Sequence, residues 1–175
     1  KKSNMRVMMS THDMFQGQRL AERMGVLVAG EMLQTGKPGE IFNSPRGRAI
    51  AEFVGMENII AGIITSNEEG IVDIKFENNS IEAISNFSVG EKVYAGIRPE
   101  EITLARTKES TSARNTFAAE ITRIVLFGPL ARVEMNCGFP LVALITKRSA
   151  EEMNLQTGDR IYASFKATGV HVIKG

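Results

Sequence analysis

Two stretches of this sequence line up with each other, and that alignment limits what the chain can fold into. Asn58-Ile59-Ile60-Ala61-Gly62-Ile63-Ile64-Thr65 matches Asn115-Thr116-Phe117-Ala118-Ala119-Glu120-Ile121-Thr122 in Asn, Ala, Ile and Thr. Further on, Gly90-Glu91-Lys92-Val93-Tyr94-Ala95 matches Gly158-Asp159-Arg160-Ile161-Tyr162-Ala163. The alignment then sets Arg98 opposite Lys166, Ile102 opposite Val170 and Leu104 opposite Val172. Both stretches are short alternating apolar runs broken by Gly, Asn and Pro, which is the texture of β-structure. Each copy is too small to bury a core alone, so the two must stack or close together. The first copy runs over 56–106 and the second over 112–175, separated by the polar segment Arg106-Thr107-Lys108-Glu109-Ser110-Thr111.

Residues 1–55 have a different texture, and Gly55-Met56-Glu57 marks the boundary. Arg6-Val7-Met8-Met9-Ser10-Thr11 reads as a short buried strand leading to His12-Asp13. Met14, Leu20, Ala21 and Met24 predict a helix over 14–24 that stops at Gly25. Val26–Ala29 and Met32–Thr35 flank Gly30-Glu31, a two-residue hairpin signal. Pro38 starts a helical turn through Phe42. Arg46 to Val54 predicts an amphipathic helix, with Ala49, Ile50, Phe53 and Val54 on one side and Gly55 as its stop.

The second copy carries an insertion, Thr146-Lys147-Arg148-Ser149-Ala150-Glu151-Glu152-Met153-Asn154-Leu155. Ser149 with Glu152 three residues on is a capping-box pattern, so a short helix is expected to start at Ser149. Unbonded N–H groups at a helix start favour anions.

Composition removes several function classes. Lys+Arg number 21 against 20 Asp+Glu, and the formal charge of +1 lacks the basic footprint of a nucleic-acid binder. Aromatics are 6% with no Trp, which also speaks against base stacking. The single cysteine, Cys137, suits a reducing compartment. No apolar run approaches the roughly 20 residues of a membrane span. The start Lys1-Lys2-Ser3-Asn4 has neither a signal peptide nor an initiator Met, so a soluble, cytosolic piece of a longer chain is expected. Gly30 to Gly36-Lys37 imitates a phosphate loop, but the spacing is one residue too long and Pro38 replaces Ser or Thr. The sequons at Asn78 and Asn86 carry no meaning in a cytosolic chain. One Cys and two distant His, His12 and His171, make no metal site. No catalytic set is complete.

Ser10-Thr11-His12-Asp13, Ala21-Glu22-Arg23-Met24, Val26 through Gly36 and Pro38-Gly39-Glu40-Ile41-Phe42-Asn43-Ser44-Pro45 follow one another in an order that resembles the last part of an ABC-transporter ATPase domain. The resemblance covers residues 1 to about 55. It implies that His12 is the switch-loop histidine that approaches the γ-phosphate, a catalytic role open to it only in a full-length ATPase that binds ATP and Mg. No phosphate loop, signature motif or Walker-B carboxylate precedes it here, so the chain by itself should not hydrolyse ATP.

Tyr94-Ala95-Gly96-Ile97-Arg98-Pro99-Glu100-Glu101-Ile102 resembles the TOBE-type regulatory domain of ABC import ATPases. Ser112-Ala113-Arg114-Asn115, Leu144–Glu152 and Phe165-Lys166-Ala167-Thr168-Gly169-Val170 together resemble the molybdate-binding Mop domain. These resemblances imply a mainly β fold, with tandem small OB-like barrels preceded by a partial α/β segment. They also imply a homodimer that sits at the inner face of the cell membrane through permease subunits, with molybdate or tungstate as ligand. In that family the first motif and the Lys bind one oxyanion at a subunit interface, and the helix-start residues come from the partner chain.

The chemistry of the matched residues suits a tetrahedral dianion. Arg114 offers a guanidinium fork and Lys166 an ammonium. Ser112, Thr146, Ser149 and Thr168 offer hydroxyls, and the backbone at Ala113, Arg114 and Ala167 offers N–H groups. With Asn115, these are the expected oxyanion residues. The residues taken singly also suit plainer roles: a cap for Ser149, a solvated charge for Lys166, a linker charge for Arg114. The first copy has Gly55-Met56-Glu57-Asn58 in place of Ser-Ala-Arg-Asn and no helix, so no equivalent site is expected there despite Arg98. Two alternatives stay open, an oxyanion storage or sensor module and the regulatory domain of an importer for another solute such as a sugar.

Overall fold

A computed structural model of the protein describes residues 6–175. Lys1–Asn4, the basis of the reading that no signal peptide is present, lies outside the described residues. The chain opens with an irregular exposed stretch and then forms α1 (Met14–Leu20), β1 (Met24–Val28), β2 (Glu31–Gly36), α2 (Pro38–Asn43) and α3 (Arg48–Phe53). The first repeat supplies β3 (Asn58–Glu68), β4 (Ile71–Phe76), β5 (Asn79–Ile84), β6 (Lys92–Ile97), a 3-10 turn over Pro99–Glu101 and β7 (Thr103–Ala105). The second supplies β8 (Asn115–Phe127), β9 (Leu130–Asn136), β10 (Pro140–Thr146), α4 (Lys147–Glu152), β11 (Arg160–Phe165), a 3-10 turn over Ala167–Gly169 and β12 (Val170–Lys174).

The fold is mainly β, as expected, and is built from two curled five-stranded antiparallel sheets. One sheet has the order β5-β4-β3-β6-β12 and the other β10-β9-β8-β11-β7. Each repeat therefore sends its last strand into the sheet of the other: β12 pairs with β6, and β7 with β11.

The internal alignment holds in backbone detail. Extra residues bulge the first strand of each repeat at Thr65 and Thr122, the last pair of the aligned segment. Next to those bulges, Ile64 N–H donates to Glu91 O and Gly90 N–H to Ile64 O; Ile121 N–H donates to Asp159 O and Gly158 N–H to Ile121 O. Arg98 and Lys166 open the two 3-10 turns with φ/ψ of −76/141° and −77/148°.

Both repeats contribute to one core. Ile64, Ile74, Ile81 and Ile97 meet Ile121, Leu141, Ile161 and Phe165 in a single buried cluster. Phe139 sits edge-on to Phe76 and Phe117, at centroid distances of 4.9 and 5.1 Å. A second cluster joins the N-terminal segment to the outer face of β3, β6 and β12. There Val26, Ile41, Phe42, Ile50, Ala51 and Val54 pack with Met56, Ile59, Tyr94 and Ile173. Gly96 makes this approach possible, because a Cβ on it would come within 2.8 Å of Met56 Sδ. Gly55–Glu57, where a boundary was expected, is thus a packed junction, with Met56 fully buried.

Several local expectations are corrected. Arg6–Thr11 forms no strand, and Val7 and Met8 are exposed; no strand among the described residues lies beside it to satisfy its backbone. The first helix ends at Leu20, and Met24 opens β1. The hairpin turn is Ala29-Gly30, one residue earlier than expected. Both turn residues have positive φ (49° and 87°), as a tight hairpin requires. Helix α3 is shorter than the expected 46–54, and it buries Ile50 and Ala51 while leaving Ala49 and Phe53 exposed. Thr146 rather than Ser149 caps α4, its Oγ1 accepting the Ser149 N–H at 3.1 Å. A threonine directly after a strand already has the extended backbone of an N-cap.

Arg106 anchors the polar segment between the repeats. Its guanidinium donates to the carbonyls of Met153 (2.9 Å) and Asn154, just past α4, and pairs with Asp159 at 2.8 Å. The Gln156 N–H and Arg106 together hold the Asp159 carboxyl below the usual carboxylate range.

Candidate oxyanion site

Strand register determines which of the expected residues meet. Asn115, the first residue of β8, lies opposite Phe165, the last of β11. Arg114 therefore precedes one strand and Lys166 follows its neighbour at the same end of the sheet. Strand β5 of the other repeat reaches this end as well. Asn115, 3% exposed, donates its Nδ2–H to Glu82 O (2.9 Å) and accepts the Glu82 N–H on Oδ1 (2.8 Å). Both halves of its amide are taken, so Asn115 anchors the segment that carries Ser112, Ala113 and Arg114.

Glu82 also meets Arg114 through its side chain, Oε2 accepting from Arg114 Nε at 2.9 Å. That bond leaves the two terminal guanidinium nitrogens without a partner among the described residues, and the Arg114 side chain is 66% exposed. Sequence reasoning missed Glu82, whose only signal was its outward position in an alternating strand. Ser112 is exposed, and Ala113 N–H is turned back onto Thr111 Oγ1 at 3.1 Å.

Lys166 is exposed, and no hydrogen bond or ion pair holds its ammonium among the described residues. Within the 3-10 turn Ala167 is buried and Thr168 exposed. Thr168 borders a groove of about 410 Å³ whose other walls include Ser44, Ile84 and His171. Two cationic residues, exposed hydroxyls and a tight turn thus lie at the sheet end where opposite repeats touch. A small anion there can take charge-assisted hydrogen bonds without either cation having been buried first.

Thr146 and Ser149 are elsewhere. Thr146 pairs with Leu130, and Leu130 with Phe127 at the far end of the 13-residue β8. That strand has a contour of about 40 Å at roughly 3.3 Å per residue. The Thr146 and Ser149 hydroxyls lie 2.8 Å apart. Beside them Lys147 and Arg148 pair within α4 with Glu151 and Glu152. His12 is exposed, in the irregular stretch before α1. Among the described residues no group of His, Cys, Asp and Glu could hold a metal ion, and no helix is long and apolar enough to cross a membrane.

At the position equivalent to Lys166, Arg98 is held by two backbone carbonyls. Its Nη1 donates to Val54 O (2.7 Å) and its Nη2 to Phe42 O (2.8 Å). The position equivalent to Arg114 holds Glu57, paired with Arg132 at 2.7 Å.

Residues 111–172 match the TOBE domain. Over most of its length the chain is similar to the ATP-binding proteins of molybdate/tungstate importers. It is 37% identical over 163 residues, 93% of its length, to the molybdate/tungstate import ATP-binding protein of Pyrococcus abyssi, of which it covers 45%. A sulfate/thiosulfate import ATP-binding protein of Bacillus cereus is 26% identical over 93% of this chain and 44% of that protein. The chain thus spans somewhat less than half the length of these relatives. Among solved structures, the cytoplasmic molybdate-binding protein ModG, with molybdate bound, superposes with a TM-score of 0.61. That alignment covers 66% of this chain and 94% of ModG at 21% identity, and it establishes the fold.

Proposed function

We propose that this chain is the regulatory C-terminal part of the ATP-binding subunit of a molybdate/tungstate importer, and that it binds the oxyanion between two copies of its β module. The observation that carries this reading is the convergence of Arg114 and Lys166 at one sheet end, with the terminal nitrogens of one and the ammonium of the other unengaged. Ser112, Thr168 and the Ala167 backbone complete the donor set, the Ala113 N–H joins it once released from Thr111 Oγ1, and Asn115 fixes its loop. Thr146 and Ser149 reach the anion from the second copy, since β8 separates them from Arg114 within one chain. The β8–β9 hairpin tip supports such pairing: Leu126 and Phe127 are 54% and 46% exposed, an apolar surface suited to a partner of like character.

Bound oxyanion favours one arrangement of the two modules by differential affinity and so slows uptake when the cell is replete. ATP and Mg belong to the complete subunit, where His12 serves as the switch-loop histidine and permease subunits hold the assembly at the membrane.

Calorimetric titration with tungstate, molybdate and sulfate tests the ligand, using this chain and its Arg114→Ala and Lys166→Ala variants. Tight binding of the two larger oxyanions, weakened at least tenfold in both variants, is the expected result. Preference for sulfate would move the protein to the side of its sulfate/thiosulfate relatives. Silence with all three would leave the β module an assembly element.

A further inference from the structure

We infer that Arg98 is a latch through which the β module grips the segment before it, and that this latch carries the state of the oxyanion site to that segment. The inference rests on the proposed function for its second half only. Arg98 and Lys166 occupy one position of the repeat with the same backbone geometry. The two copies differ in what the side chain holds. Lys166 faces solvent, whereas Arg98 bonds two carbonyls that lie 12 residues apart in sequence, those of Phe42 and Val54.

Those two carbonyls are not arbitrary. Phe42 O is in the last turn of α2 and Val54 O is at the C-cap of α3. The final carbonyls of a helix have no partner within it, and a cation there also meets the negative end of the helix dipole. One planar guanidinium, with donors splayed at a fixed angle, therefore closes two helix ends at once. A lysine ammonium at this position could serve one carbonyl at a time.

A second contact grips the next residue of α2 from the other repeat. His171 on β12 bonds Asn43 O through Nδ1 at 3.0 Å. A carbonyl only accepts, so Nδ1 carries the proton. Strand β12 begins where the Lys166–Gly169 turn ends, and it pairs along β6, the strand that leads into Arg98. Ligand drawn onto Lys166 and Thr168 thus pulls on a turn whose far side is bonded to α2. Arg98 and His171 act through other groups and touch no ligand, so both are positioning residues.

Amide hydrogen exchange across residues 39–54, with and without saturating tungstate, tests both halves alongside calorimetry. The variants are Arg98→Ala, Arg98→Lys and Lys166→Ala. In the wild type, tungstate is expected to slow exchange in this segment. Both Arg98 variants should exchange there at least fivefold faster and show no response to tungstate, yet bind it within twofold of the wild type. Arg98→Lys failing like Arg98→Ala separates the two-carbonyl grip from charge alone, and unchanged exchange in β3–β6 excludes general unfolding. Lys166→Ala should exchange like the ligand-free wild type. Equal exchange in the wild type and Arg98→Ala would overturn the latch even if tungstate binds. No tungstate binding by the wild type would instead overturn the proposed function and the transmission half, while the Arg98 comparison would still decide the grip.

Discussion

Asn58 and Asn115, equivalent residues of the two repeats, are reciprocal clamps, each holding the third strand of the other repeat by its backbone. Asn58 accepts the Val142 N–H (2.7 Å) and donates to Val142 O (2.9 Å), while Asn115 does the same to Glu82 at 2.8 and 2.9 Å. Gln34 does comparable work in the N-terminal segment, donating to Ser44 O and accepting the Arg46 N–H. These three are the buried polar side chains among the described residues, and each side chain reads a backbone instead of another side chain. Replacing Asn58 or Asn115 by Ala strands a part-buried N–H and C=O on the opposite repeat. Solvent reaches both groups in part, so at about 1–2 kcal/mol for each group left unsatisfied each variant should lose roughly 2–4 kcal/mol. Urea unfolding followed by circular dichroism measures it, and a loss under 1 kcal/mol would mean that water replaces the clamp.

Strand exchange makes a sharper claim about the repeats as units. Each sheet draws its fifth strand from the other repeat, and the two share one core. Residues 56–106 and 112–175 prepared separately should therefore be unfolded, each lacking an edge strand and half its apolar neighbours. Mixing them should restore β-structure. Far-ultraviolet dichroism of each piece and of the mixture decides the matter, and a folded single repeat would contradict it.

The sequence revealed position better than partnership. Alignment of Asn58 with Asn115 and of Arg98 with Lys166 was legible because equivalent backbone sites keep equivalent residues. Alignment set Leu104 opposite Val172, but a period of two states which face is buried and nothing about which neighbour pairs, so the exchange was invisible. Arg98 looked like a spare cation for a similar reason, since its carbonyl partners lie 44 and 56 residues away. Arg6–Thr11 was misread because apolar residues signal a strand whether or not a neighbour is there to receive it. The Thr146 cap was missed because the Ser149–Glu152 pattern lies inside α4 rather than at its start, and pattern alone does not fix where a strand ends.

His171 gives the latch a pH dependence. Burial lowers its pKa below the ordinary 6.5; the bond to Asn43 opposes this, the nearby Arg98 charge adds to it, and Glu101 opposes it. The folded state thus favours neutral imidazole. Between the folded pKa and that of the unfolded chain, the unfolded state binds more protons, so stability rises with pH. The contribution is fully present above about 6.5 and is lost as pH falls toward the depressed folded value. Melting temperature measured from pH 7.5 to 5 should drop more steeply for the wild type than for His171→Gln. Parallel curves would show that another group dominates acid sensitivity.

Glu82 and Arg114 set up a competition at the proposed oxyanion site. The carboxylate holds the guanidinium by Nε and aims the terminal nitrogens outward, yet its negative charge lies beside the place a dianion would enter. Glu82→Gln keeps an oxygen to accept from Nε and removes the charge. The backbone pairing of Glu82 with Asn115 does not involve the side chain, so the loop stays anchored. Near a protein surface a unit charge several ångströms from a dianion costs on the order of 1 kcal/mol after screening. Tungstate should therefore bind Glu82→Gln about three- to tenfold more tightly at low salt, with the advantage shrinking as ionic strength rises. Glu82→Ala, which loses both charge and aim, should gain less than Glu82→Gln. If Glu82→Gln binds more weakly than the wild type, Glu82 contributes a contact that its charge supports, and the competition is wrong.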